Sequence, residues 1–113
     1  MTISYSQFMA PTVLGAAAAT LFSIPVLPAT NLLRGGRIRL TNTTGAAVTA
    51  TLYGVPMAGV AGAGNAFLSG KSIAANDYLD VDVPMLVSGG SVSALAGVAA
   101  SITAHMVSGS LFS

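Results

Sequence analysis

Eight side chains of this 113-residue chain ionise near neutral pH: Arg34, Arg37, Arg39, Lys71, Asp77, Asp80, Asp82 and His105. One histidine and three aspartates, with no glutamate and no cysteine, leave little material for acid–base or nucleophilic chemistry. A serine hydrolase needs its nucleophile held on a sharp turn beside the histidine, and no G-x-S-x-G run or other positioning motif occurs. Asp80 and Asp82 stand on one strand face, roughly 7 Å apart by strand rise. Paired carboxylates divide acid and base roles only where a cleft drives their pKa values apart. The plainer reading is ion pairing with Arg37 and Arg39, which alternate in the same way on another strand, or with an adjoining subunit. Asp77, Asp80 and Asp82 could offer oxygen ligands to Ca²⁺ or Mg²⁺, but a regular strand does not curl round an ion, and no metal site is assigned. No catalytic residue and no cofactor-binding residue is expected.

The remaining motifs are equally plain. "GVAGAGNAF", residues 59–67, is not G-x-G-x-x-G, and the Lys71-Ser72 that follows does not stand at the G-x-x-x-x-G-K-S/T spacing of a phosphate loop. "RGGRIR", residues 34–39, holds three of the four cations but no aromatic for base stacking, so it offers only weak, salt-sensitive phosphate contacts. A net charge of +1 adds no steering field, and nucleic acid is not expected as a partner. "NTT", residues 42–44, is formally a glycosylation acceptor, but its Asn, Thr and the following Gly45 are first of all turn chemistry.

These residues must be positioned by an unusually apolar chain. Hydrophobic residues make up 53% and charged residues 6%, against about 25% charged in typical soluble domains. A free monomer of this composition has too little charge to cover itself, and either a bilayer or a large assembly would relieve it. Residues 9–28, "MAPTVLGAAAATLFSIPVLP", are nearly long enough to span a membrane. However, Pro11, Gly15, Pro25 and Pro28 interrupt them, and no basic flank sets an orientation. The start "MTISYSQF" lacks the positive region of a secretory leader, so the N-terminus is expected to be retained and no membrane partner is assigned.

From residue 36 onward the apolar positions recur with period two, the mark of half-buried strands. Ile38 and Leu40 oppose Arg37, Arg39 and Thr41. Val48, Ala50 and Leu52 oppose Thr49, Thr51 and Tyr53. With "NTTG" between these runs, residues 36–54 read as a β-hairpin. Residues 54–72 read as a long glycine-rich loop entering a short strand. Residues 77–87 form the clearest strand, with Leu79, Val81 and Val83 inward, Asp80 and Asp82 outward, and Pro84 forcing an edge or a break. "SGGS" is a turn, "SVSALAG" a short strand, and residues 100–113 a last strand with Ile102, Ala104 and Met106 inward. Residues 18–24 add a strand before the hairpin. The expectation is an all-β chain: an antiparallel β-sandwich of jelly-roll type spanning 18–113 as one domain, with residues 1–17 as an extended N-terminal arm able to lie along a neighbour's sheet edge.

From about Leu21 to Ser113 the chain resembles a family of small structural proteins of tailed-bacteriophage virions. The resemblance lies in "LFSIP" (21–25), "IRLTNTTGAAVTATLYGVP" (38–56), "KSIAANDYLDVDVP" (71–84), "LVSGGSVSALAG" (86–97) and "SITAHMVSGSLFS" (101–113), in that order and spacing. It implies a β-sandwich present in many copies on the virion, with no enzymatic activity and no cofactor. The expected role is a capsid decoration or cement protein that stabilises the shell through contacts between subunits. Its expected partners are the major capsid protein and itself, as a homo-oligomer such as a trimer, and its expected location is the capsid surface. The alternative is a tail or fibre accessory protein touching the host surface. Arg37, Arg39, Asp80 and Asp82 are the candidate ion pairs between strands or between subunits.

Overall fold

The computed structural model describes residues 3–4, 11–27 and 30–112, the first two and the last two of these through their backbone alone. The strands are β1 (Ile3–Ser4), β2 (Thr12–Val13), β3 (Ala19–Ser23), β4 (Leu32–Asn42), β5 (Val48–Val55), β6 (Ala66–Ile73), β7 (Tyr78–Asp82), β8 (Leu86–Val87), β9 (Ser91–Ala96) and β10 (Ile102–Phe112). One sheet runs β1–β10–β4–β7, with β2 also on β10 and β8 also on β4; the other runs β3–β9–β5–β6. All pairings are antiparallel. The nesting is that of one long hairpin rolled on itself. β2 pairs with β10, β3 with β9, β4 with β7 and β5 with β6, and rolling then brings β10 against β4 and β9 against β5. That is the jelly roll, and it closes the chain into an antiparallel β-sandwich.

Period-two alternation supplies the core. Ile38 and Leu40 of β4, Leu52 and Ala50 of β5, Val92 and Ala94 of β9, and Ile102 and Ala104 of β10 are all at most 1% exposed. Along β4, β5 and β10 they alternate with more exposed residues, as the pleat requires, while on β9 Ser93 between Val92 and Ala94 is buried as well. Burial of such apolar surface at roughly 25 cal/mol per Å² is the main stabilising term. The buried alanines fill the narrow places between the larger aliphatics, where added methylenes would cost about 1–3 kcal/mol.

The N-terminal residues that can be described are extended, as expected, and they lie on the chain's own sheet. Ile3 and Ser4 pair with Phe112 and Leu111, and Thr12 and Val13 pair with Ala104 and Thr103. Leu14 is 2% exposed in the core; its N–H donates to the Ile102 carbonyl and its carbonyl accepts from Ala100 N–H. Residues 12–14 are thus built into the sandwich ahead of the boundary drawn at residue 18. Residues 1–2 and 5–10 of the expected arm lie outside the described residues.

Two local readings need correction. Residues 36–54 are not a hairpin: β4 and β5 lie in different sheets, and "NTTG" is an arch that carries the chain across the sandwich. The cause is Asn42, which falls on the inward parity of β4 after Ile38 and Leu40 and is fully buried. Its side-chain amide donates to the carbonyls of Ala46 (2.8 Å), Ile73 (3.0 Å) and Ala74 (3.3 Å). Its Oδ1 accepts from Thr44 N–H (3.0 Å) and Thr44 Oγ1 (2.7 Å). A flat two-stranded turn would leave that amide unsatisfied. Residues 54–72 likewise hold more structure than expected. A 3₁₀ turn (Ala63–Asn65) is closed by Asn65 accepting from Gly62 N–H, and an eight-residue β6 follows. "RGG" lies inside β4, where Gly35 has φ +67° at an irregularity in the pairing with β10.

Two substitutions test this frame. Asn42→Ala, which strands several buried carbonyls and an N–H, is expected to destabilise by about 3–5 kcal/mol in urea titration, and Thr44→Val by only about 1 kcal/mol. Ala100, held at φ +61° by its bond to Leu14, should become more stable as Ala100→Gly by about 0.5–1 kcal/mol.

Candidate interaction surfaces

The charged face is built by the alternation R-I-R on β4 meeting D-V-D on β7. The register places Arg39 opposite Asp80 and Arg37 opposite Asp82. Arg39 forks onto Asp80, Nε to Oδ1 at 2.8 Å and Nη2 to Oδ2 at 3.0 Å, while Arg37 makes a single contact, Nε to Asp82 Oδ1 at 2.9 Å. Arg39 also stands 4.3 Å from the ring centre of Tyr78, a cation–π stack that fixes the guanidinium plane. The two pairs differ in shielding: side chains are 42% and 29% exposed for Arg39 and Asp80, against 52% and 79% for Arg37 and Asp82. The first pair is therefore the ordered one, and the second is open to water and salt.

The electrostatics follow. The hydrogen bonds from Arg39 hold the Asp80 carboxyl below its ordinary value of 3.8, helped by the charges of Arg39 and Arg37 and opposed by partial desolvation. The same hydrogen bond raises Arg39, which is charged in any case. His105 of β10 stands opposite Arg39 on its other side, exposed, so β10, β4 and β7 present His105, Arg39 and Asp80 as one row. Asp80 gives both oxygens to Arg39 rather than orienting the imidazole. The three aspartates do not converge either: Asp77 sits in the β6–β7 turn and accepts from the N–H of Tyr78 at 2.8 Å. Among the described residues no group of three or more His, Cys, Asp or Glu side chains comes together. The glycosylation acceptor Asn42 is buried with its amide fully engaged, so the folded chain offers nothing there to a transferase.

A second surface was not legible from strand patterns. At the end of the sandwich where β3 leads to β4, β5 to β6 and β7 to β9, six large apolar side chains are exposed: Val26 (51%), Leu27 (79%), Met57 (57%), Val60 (82%), Met85 (67%) and Val87 (58%). The loops are fastened together. Ile24 N–H donates to the Gly90 carbonyl at 2.7 Å, and Gly89 N–H to the Ile24 carbonyl at 3.1 Å. Buried Asn31 donates to the Pro25 carbonyl at 3.0 Å. Met57 crosses over Gly89, where φ is +79° and a Cβ would come within 2.7 Å of Met57 Cγ, so only glycine fits. The signal in the sequence was a repeat of proline followed by an apolar residue, Pro25-Val26, Pro56-Met57 and Pro84-Met85. Each proline ends a strand or turn and puts the next side chain outside the sheet.

No helix among the described residues is long and apolar enough to cross a membrane; residues 19–23, inside the apolar run, form β3. No family model matches the chain, and no curated protein matches it. Among solved structures it aligns with a chain in the structure of infectious bursal disease virus, Gx strain, at 15% identity and a TM-score of 0.45, over 97% of this chain and 30% of that one. The chain thus spans about a third of that protein's length.

The depressed Asp80 carboxyl makes a prediction with a definite sign. A carboxyl lowered on folding contributes its stabilisation in full above its unfolded value and loses it as pH falls through the folded value. The urea midpoint of the native chain should therefore drop below about pH 4, and Asp80→Asn should lower the neutral midpoint and flatten that acid limb. Arg37→Gln should leave the limb nearly unchanged.

Proposed function

We propose that this chain is a non-enzymatic structural component of a bacteriophage virion, a decoration or cement protein that stabilises the capsid shell through contacts between subunits. One observation carries the reading: the segments of the phage resemblance are the ones that meet in space. The Asn42 amide of "NTTG" bonds the Ile73 and Ala74 carbonyls of "SIAAND", Asn76 N–H donates back to the Thr44 carbonyl, and Thr43 N–H donates to Ser101 at the head of "SITAH". These bonds join the segments into one closed sandwich, which is the fold that the resemblance implies.

The surface supports the role. Its paired charges cancel locally, and its exposed apolar residues gather at one end, which suits burial among neighbours better than catalysis in solution. The loop that a host-contacting fibre would use, residues 57–66, exposes Met57 and Val60 and holds no aromatic or carboxylate for sugar recognition. Such contacts act additively, each modest at about 25 cal/mol per Å² and repeated over the shell.

Cryo-electron microscopy of particles that encode the chain tests this. Sandwiches repeated over the capsid lattice are expected. Copies confined to the tail would overturn the decoration role, and particles without the chain would overturn the virion reading altogether.

A further inference from the structure

We infer that the loop end built by residues 24–27, 56–60 and 84–90 is a self-association surface whose occupant is the same end of a second copy of this chain. Six of the ten exposed large apolar side chains of the described residues stand there; the other four, Val13, Tyr78, Val98 and Val107, stand elsewhere. The loops are already tied to one another by the Ile24–Gly90 and Gly89–Ile24 bonds and by Met57 over Gly89, so little ordering is lost when the surface is covered.

Charge selects the occupant. None of the chain's eight Arg, Lys, Asp and His side chains lies in these segments, and Arg34, beside Leu33 on β4, stands at the margin. A partner bringing a charge to the centre would strip its hydration with no counter-charge to receive it. The occupant must therefore be neutral and apolar over the same extent, and the same end of a second copy has that property. Two such ends meet about a two-fold axis without like-charge repulsion, and the contact closes on itself. The charged face is a poorer candidate, because covering it would desolvate the Arg39–Asp80 fork.

The inference does not depend on the virion reading, and the two can fail separately. Sedimentation velocity of the full chain between about 1 and 100 µM should show a concentration-dependent dimer. Leu27→Asp and Val60→Asp, at positions 79% and 82% exposed, should weaken its dissociation constant by at least about tenfold with the β-sheet circular dichroism unchanged. Val98→Asp should leave it intact. Because the chain has no cysteine, Leu27→Cys also gives a test independent of stability: a short bismaleimide should link two copies through it and not through Val98→Cys. A monomer across the whole range, a dimer indifferent to the loop substitutions, or equal cross-linking from Val98→Cys would each overturn the proposal. A monomer found repeated on a capsid lattice would overturn this inference and leave the virion reading standing.

Discussion

The fold depends on one buried amide. Asn42 lies where the β4 core face runs out, and its five hydrogen bonds, three donated and two accepted, decide that the chain crosses to the other sheet there. Partners from both the β4–β5 and the β6–β7 connections reach the same group, while the backbone of Asn42 and Thr43 bonds Asp77 and Ser101. Three separate stretches of chain, residues 42–46, 73–77 and 101, are fixed relative to one another around a residue that contributes no apolar area. A polar group so placed is costly if any partner is missing, which is why it specifies a single arrangement where an apolar residue would tolerate several.

This divides the molecule by physics. At the Asn42 end the connections are locked by polar bonds turned inward, and among the described residues the large apolar side chains exposed near it are Val13, Tyr78 and Val98. At the opposite end the connections are held by backbone bonds and glycine–methionine contact, and their apolar side chains face out. The apolar end has one buried side-chain bond of this kind, Asn31 to the Pro25 carbonyl, against the five that Asn42 makes at the other end. Separating them lets one end keep the fold while the other is free for contact.

Much of this was legible in the sequence, and what was missed has a physical reason. Alternation indicated which residues of β4, β5, β7 and β10 face the core, and it put Arg37/Arg39 and Asp80/Asp82 on outward faces, where the β4–β7 register sets them opposite one another. Alternation says which face is buried but not which strand lies alongside, so the sequence reading joined β4 to β5 as neighbours. Parity could have prevented this: Asn42 shares its face with Ile38 and Leu40, and a polar residue on a core face demands partners that a hairpin turn does not supply. The apolar end escaped because strand periodicity is silent in loops. Its trace was the three proline–apolar pairs, each ordinary alone and informative only when the fold brought them to one place.

Low charge sharpens the last step. Arg37, Arg39, Asp80 and Asp82 cancel in pairs, and Arg34, Lys71, Asp77 and His105 are the remaining acidic and basic side chains on a surface of 5792 Å². Under the self-association proposed above, the question is what keeps the contact finite. Open sheet edges would give indefinite stacking, yet each edge is spoiled. β7 presents Asp80 and Asp82 and stops before Pro84; β6 is distorted by Gly70 at φ +58° next to Lys71; β3 is five residues long with a register shift at Leu21; and β10 is covered at both ends by β1 and β2. With growth along the edges blocked and the sheet faces polar, the neutral loop end is the surface left on which association can be both favourable and finite.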